Sequence, residues 1–292
     1  MGLRPGWGSG ADTAGFYRIW KGGITMSNWG ELTQELERTL RLRTFPVAYK
    51  RLEKAVELEQ IPRVRRLERH FTFCQLPGLV RTRGWTVGAT REDDIGERCA
   101  RIHGLDVATE ESKAAEATQL ATTWFGTVEM ARHQQDEYPR IPAGEAVVLA
   151  PLSAGKFEPD VVLIYGLPAQ LMLILNGLQR RHYERYQFFF IGEGACSDSL
   201  AQCYVTGKPS LTIPCFGERR FGEVLDEELV LALRPEMIEM ALEGMRELSG
   251  VGLRYPIPIH GAEHDPSAAL GRAYPQTAES RGRKSREQSQ AS

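Results

Sequence analysis

The chain is short of the features that most quickly assign a function. It has five cysteines, an odd number and far too few for a disulfide framework in 292 residues. That usage points to a reducing compartment, with thiols that are buried, reactive or metal-bound. Charge of one sign is also lacking: 36 basic residues face 38 acidic ones, for a formal charge of −2. Such a balance argues against a protein built to neutralise nucleic-acid phosphates. No long apolar run is present. The most apolar segments, Val161–Tyr165 and Leu171–Leu175, are separated by Gly166–Gln170, and together they fall short of the roughly 20 residues a membrane helix needs. No N-terminal stretch resembles a signal peptide. These absences lead us to expect a cytoplasmic protein without a membrane partner.

What is present is an ordinary globular composition, 42% hydrophobic and 25% charged. Residues 1–25 are Gly-rich and read as an N-terminal extension. The first convincing element follows Met26, which leaves either Met1 or Met26 as the native start; Asn28 and Glu31 have capping-box spacing, and Trp29, Leu32, Leu36 and Leu40 recur at helical intervals. Residues 261–292, ending RGRKSREQSQAS, read as a solvated, disordered tail. Between them lies an expected folded unit over 26–250, with a candidate sub-boundary at 140–144. Strand candidates are Phe45–Tyr49, Trp85–Val87, Ala146–Leu149, Val161–Tyr165, Phe188–Ile191 and Leu211–Ile213. Helix candidates include Glu110–Phe125, Ala169–Arg180, Cys196–Val205, Asp226–Leu233 and Pro235–Ser249. The alternation predicts an α/β fold whose partly parallel or mixed sheet is flanked by helices.

Three segments could carry chemistry. Tyr165–Gln170 stands where a buried strand hands over to a helix, a common place for ligands in open α/β sheets; Gly166 permits close backbone approach and Gln170 offers an amide. Gly192–Cys196 has the same form. Its Gly192 and Gly194 lack the third glycine of a dinucleotide loop, and no Gly-Lys-Ser/Thr follows. It does place Cys196 near a helix N-terminus, which favours a thiolate, making Cys196 the candidate nucleophile, with His182 and His260 as unassigned candidate bases. Cys215–Arg219 adds another thiol, and Arg219 or Arg220 could grip an anion with a planar guanidinium fork. Cys203 lies seven residues beyond Cys196, about 10 Å along a helix, too far to share one zinc ion with it. No CxxC and no HExxH occurs.

TFPVAYK, the Cys74-Gln75 pair with RTRGW after it, Cys99, FEPDVVLIYGLPAQ, Cys196 and PCFGERRFGEVLDEEL followed by RPEM together resemble domain-of-unknown-function family 169. The resemblance covers roughly Met26 to Leu248. Its members are uncharacterised and frequent in anaerobic bacteria and archaea. The resemblance implies that Cys74, Cys99, Cys196 and Cys215 are cysteine positions in relatives too; Cys203 is outside it. After Cys99, Ala100–His103 departs from the Gly-rich continuation of relatives.

Three readings follow. The first is a small-molecule-binding protein whose crevice is formed by the turns Tyr165–Gln170, Gly192–Cys196 and Cys215–Arg219, with Tyr165, Gly166, Gln170, Gly194, Arg219 and Arg220 around a small anionic ligand. The second is a thiolate-ligated centre on Cys74, Cys99, Cys196 and Cys215, an iron–sulfur cluster in preference to zinc, with a redox or accessory role. The third is a cysteine-dependent enzyme. All three expect the turns to meet at one sheet edge.

Overall fold

The computed structural model describes residues 28–107 and 109–263; the expected N-terminal extension and most of the expected tail lie outside them. Helix α1 (Trp29–Leu40) buries Trp29, Leu36 and Leu40 along one face, and Arg41 ends it in the left-handed region at φ 54°. Strand β1 (Val47–Leu52) follows, then the short α2 (Val56–Glu59), α3 (Gln75–Arg83), β2 (Val87–Thr90), α4 (Glu97–Ile102), α5 (Glu110–Leu120), a π-helical turn (Ala121–Phe125) and α6 (Val128–Glu137). The second half runs β3 (Ala146–Pro151), β4 (Val161–Gly166), α7 (Pro168–Arg181), a π-helical turn (Ser197–Ala201), α8 (Gln202–Thr206), β5 (Ser210–Thr212), α9 (Phe216–Phe221), β6 (Leu229–Leu233) and α10 (Glu236–Gly250). Among the described residues no helix is long and apolar enough to cross a membrane.

The strands form one six-stranded sheet in the order β2-β3-β1-β4-β6-β5. Every pairing is antiparallel. This overturns the expected parallel or mixed sheet, and the reason is burial. All residues of β3 and β4 are buried, giving the unbroken apolar runs that usually mark parallel strands. Here both faces of an antiparallel sheet are covered. Ala48, Val148, Val162, Ile164 and Leu231 pack with α1, α7 and α10 on one side. Val47, Tyr49, Val147, Leu149, Tyr165 and Val230 pack with α3, α4 and residues 196–203 on the other. The sheet draws β1 and β2 from before residue 140 and β3–β6 from after 144.

Two elements differ from the sequence reading. Leu229–Leu233, read as the end of a helix, is strand β6; its Leu and Ala favour helix locally, but its place between β4 and β5 decides. Phe188–Ile191, read as a strand, is irregular, and Phe188, Phe189 and Phe190 are exposed.

Helices α7 and α10 cross at Gly177 and Gly244. A Cβ on Gly244 would stand 1.9 Å from the Gly177 carbonyl oxygen, and one on Gly177 would stand 2.4 Å from that of Ala241. The crossing therefore has no room for a side chain. Gly244→Ala is expected to destabilise the fold by about 3 kcal/mol, the upper range for overpacking, read as a lowered urea midpoint at unchanged slope.

Candidate functional site

Strands β4 and β5 are both antiparallel to β6, so they run the same way and end at one sheet edge. After β5 the chain turns into α9 with Cys215 as its cap residue. Around the Cys215 sulfur stand the Cys74 thiol and the backbone N–H groups of Glu218, Ala195 and Gly217. These donors outweigh burial and lower its pKa to about 5. Cys74, the cap residue of α3, is driven the opposite way: its thiol donates to Cys215, and burial adds to the rise. Burial also raises Cys99 and Cys196, whose charges couple to Cys215. Of the four thiols, only Cys215 is shifted toward its charged form; the other three are shifted away from it. All five cysteines are free of disulfides.

Glu218 stands on α9 one turn beyond Cys215. It accepts the Tyr165 hydroxyl at 2.9 Å on Oε1, while its buried Oε2 has no hydrogen-bond partner among the described residues. Burial and the Cys215 charge raise its pKa to about 8. A second polar group surrounds Glu193, in the loop before Cys196. Arg98 pairs with Glu193 and, at 3.4 Å, with Glu116. Gln134 donates to Glu193 at 2.8 Å, and Arg101 binds Glu116 at 2.8 Å. Burial raises Glu193 to about 7 despite Arg98. Beside this network a cleft of about 530 Å³ is lined by Arg98, Cys99, Glu116, Trp124 and Glu193, among others. Trp124 meets Phe216, the neighbour of Cys215, edge-on with ring centroids 6.3 Å apart.

The expected site residues fall into two groups. Cys74, Cys99, Cys196, Cys215 and, through Glu218, Tyr165 are brought into one neighbourhood. Gly194 borders it: a Cβ there would stand 3.7 Å from Arg98 Nη2. Gln170 has a structural task instead. Its Oε1 accepts the Leu167 N–H, and its Nε2 donates to the Leu40 and Arg41 carbonyls. Gly166 packs against that same side chain. Arg219 donates to the Leu225 carbonyl at 2.6 Å, and Arg220 lies 5.8 Å from the Phe216 and Phe221 rings. Cys203 is fully buried, with Arg234 and Glu236 as its charged neighbours. Sequence reasoning missed Glu218, Glu193 and Arg98. The signal for Glu218 was a carboxylate three residues after a cysteine in a helix-forming segment.

Among the described residues, no group of three or more His, Cys, Asp and Glu side chains is arranged to hold a metal ion.

A family model described as DUF169, uncharacterised ArCR, COG2043, matches residues 35–244, which is more than half of the chain. The chain belongs to the DUF169 family. The chain is also 23% identical over 224 residues to the Uncharacterized protein MJ0308 of Methanocaldococcus jannaschii, covering 76% of this chain and 96% of that protein. No solved structure matches. The matched span of this DUF169 member takes in Cys74, Cys99, Cys196 and Cys215.

Behind the thiols, His103 is fully buried and stacked on Phe73 with centroids 3.3 Å apart and planes at 15°. Neither ring nitrogen has a hydrogen-bond partner among the described residues. Burial lowers its pKa from 6.5 to about 3. Between those values the unfolded chain binds a proton that the folded protein refuses, so stability is full above pH 6.5 and declines as pH falls. The expected loss is about 1.4 kcal/mol per pH unit from this residue. Urea midpoints measured from pH 7 to pH 4 should fall less steeply in His103→Leu than in the wild type.

Proposed function

We propose that this protein carries a cysteine-dependent activity on a small molecule, with Cys215 as its thiolate nucleophile. The observation that supports this is the Cys215 sulfur surrounded by four donors, the Cys74 thiol and three backbone N–H groups. Donors fixed in the backbone hold a thiolate in place before any substrate arrives, which is what a nucleophile requires. The substrate space is the cleft that Cys99 and Trp124 help to line, with Trp124 against Phe216, the neighbour of Cys215. Arg98 takes the anion-reading role there that Arg219 and Arg220 were expected to have, and a substrate carboxylate would exchange with one of its two glutamate partners, Glu193 or Glu116. The test is iodoacetamide labelling at neutral pH with peptide mapping. Cys215 should be modified first, and labelling that begins at Cys203 or spreads evenly over the five thiols would refute the assignment.

A second reading rests on a different observation. Cys74, Cys99, Cys196 and Cys215 come from four separate segments and couple electrostatically to one another, which suits soft-thiolate ligation of an iron–sulfur cluster with a redox or accessory role. Anaerobic purification with iron and sulfide analysis decides it: a folded protein free of both would end it.

A further inference from the structure

We propose that Cys74 and Cys215 form a redox pair that closes to a disulfide by exchange with an external disulfide. This rests on the reading of Cys215 as the reactive thiolate and adds its partner, its chemistry and a class of co-reactant.

The contact between the two cysteines is built by glycines. Cys74 begins α3 and Cys215 begins α9. The two helices approach so closely that a Cβ on Gly78 would stand 2.9 Å from the Gly222 carbonyl oxygen. A Cβ on Gly222 would stand 2.8 Å from the Cys74 carbonyl oxygen. Gly217 sits beside both sulfurs, its notional Cβ being 3.3 Å from Cys74 Sγ and 3.7 Å from Cys215 Sγ. Side chains at these three positions would push the helices apart and separate the thiols. Both sulfurs thus face one point, the Gly217 Cβ position, and a disulfide bond of about 2.05 Å requires them to close the gap between them. Cys99 and Cys196 share the neighbourhood, but it is the Cys74 sulfur that stands with that of Cys215 beside Gly217.

The chemistry balances as ordinary exchange. The Cys215 thiolate attacks one sulfur of R–S–S–R′, forming a mixed disulfide and releasing R′S⁻. Cys74 gives its proton to the released thiolate and attacks Cys215 Sγ. The Cys74–Cys215 bond forms, the bond from Cys215 to R breaks, and RS⁻ leaves. The protein pair loses two electrons, and the external disulfide is reduced to two thiols. A dithiol of the same class reverses every step.

The test uses the full-length protein, reduced and freed of reductant, with excess glutathione disulfide as the probe. In the wild type, the free-thiol count should fall by two from five, with a mass loss of two hydrogens and a cross-linked peptide joining Cys74 to Cys215. Cys74→Ser should stop at one glutathione on Cys215, and Cys203→Ser should behave like the wild type. A wild type that also stops at the mixed disulfide, or a cross-link to Cys99 or Cys196, would overturn the pairing. Iodoacetamide labelling of the same preparation separates the two claims. Selective labelling of Cys215 without disulfide closure sinks this inference alone, while absence of both sinks the reading beneath it.

Discussion

Iodoacetamide is expected to modify Cys215 at an almost constant rate from about pH 6 upward, with the rate falling only as the pH approaches 5. The sign follows from the direction of the shift. Cys215 has its pKa lowered to about 5, so the thiolate is the resident form above that value and is lost by protonation below it. An unperturbed cysteine, with a pKa near 8.5, is only about 0.3% thiolate at pH 6. The advantage of Cys215 is smaller than the populations imply, because a thiolate of low pKa is a weaker nucleophile; with a Brønsted slope of about 0.45, the net gain over a free thiol at pH 6 is roughly tenfold. Against Cys74, Cys99 and Cys196, all shifted upward, the contrast is larger. Cys74→Ala removes the largest of the effects that lower the Cys215 pKa, so the midpoint of the profile should move to higher pH. A wild-type rate that climbs tenfold per unit through pH 8 would show that the donors around Cys215 do not hold a thiolate.

The cysteine neighbourhood was readable from sequence to the extent that it depended on strand ends. Tyr165 stands near the end of β4 and Cys215 follows β5, and the apolar runs before both were visible. Their direction was not. Continuous burial of Val161–Gly166 looks the same in a parallel sheet and in an antiparallel one covered on both faces. The two turns share an edge because both strands flank β6, the strand whose sequence reads as helix. Side-chain assignments were harder still. Gln170 and Arg219 have the right chemistry for a ligand, but their hydrogen bonds go to backbone at Leu40, Arg41 and Leu225. Glu193 and Arg98 are 95 residues apart, and nothing local signals that they meet.

Loss of the Arg81 guanidinium should be the most destabilising single change near the site. Arg81 and Glu228 form a buried ion pair at 2.5 Å, with side chains only 1% and 3% exposed. Arg81 also donates to the Glu223 carbonyl at 3.1 Å and to Thr44 Oγ1 at 3.3 Å, and its guanidinium lies 4.5 Å from the centre of the Tyr165 ring. Glu228 uses its second oxygen to accept the Leu225 N–H at 2.9 Å. Arg81→Met keeps much of the side-chain volume but leaves the Glu228 carboxylate buried without its counter-charge. Breaking such a pair from one side costs about 3–5 kcal/mol, which should appear as a large fall in the urea midpoint. The double variant Arg81→Met, Glu228→Leu removes the orphaned charge together with its partner. Replacing both members of a buried pair by apolar residues is often close to neutral, so the double variant should be more stable than Arg81→Met alone. Equal stability of the two would show that the cost lay in the lost contacts to Glu223, Thr44 and Tyr165 and not in the uncompensated charge.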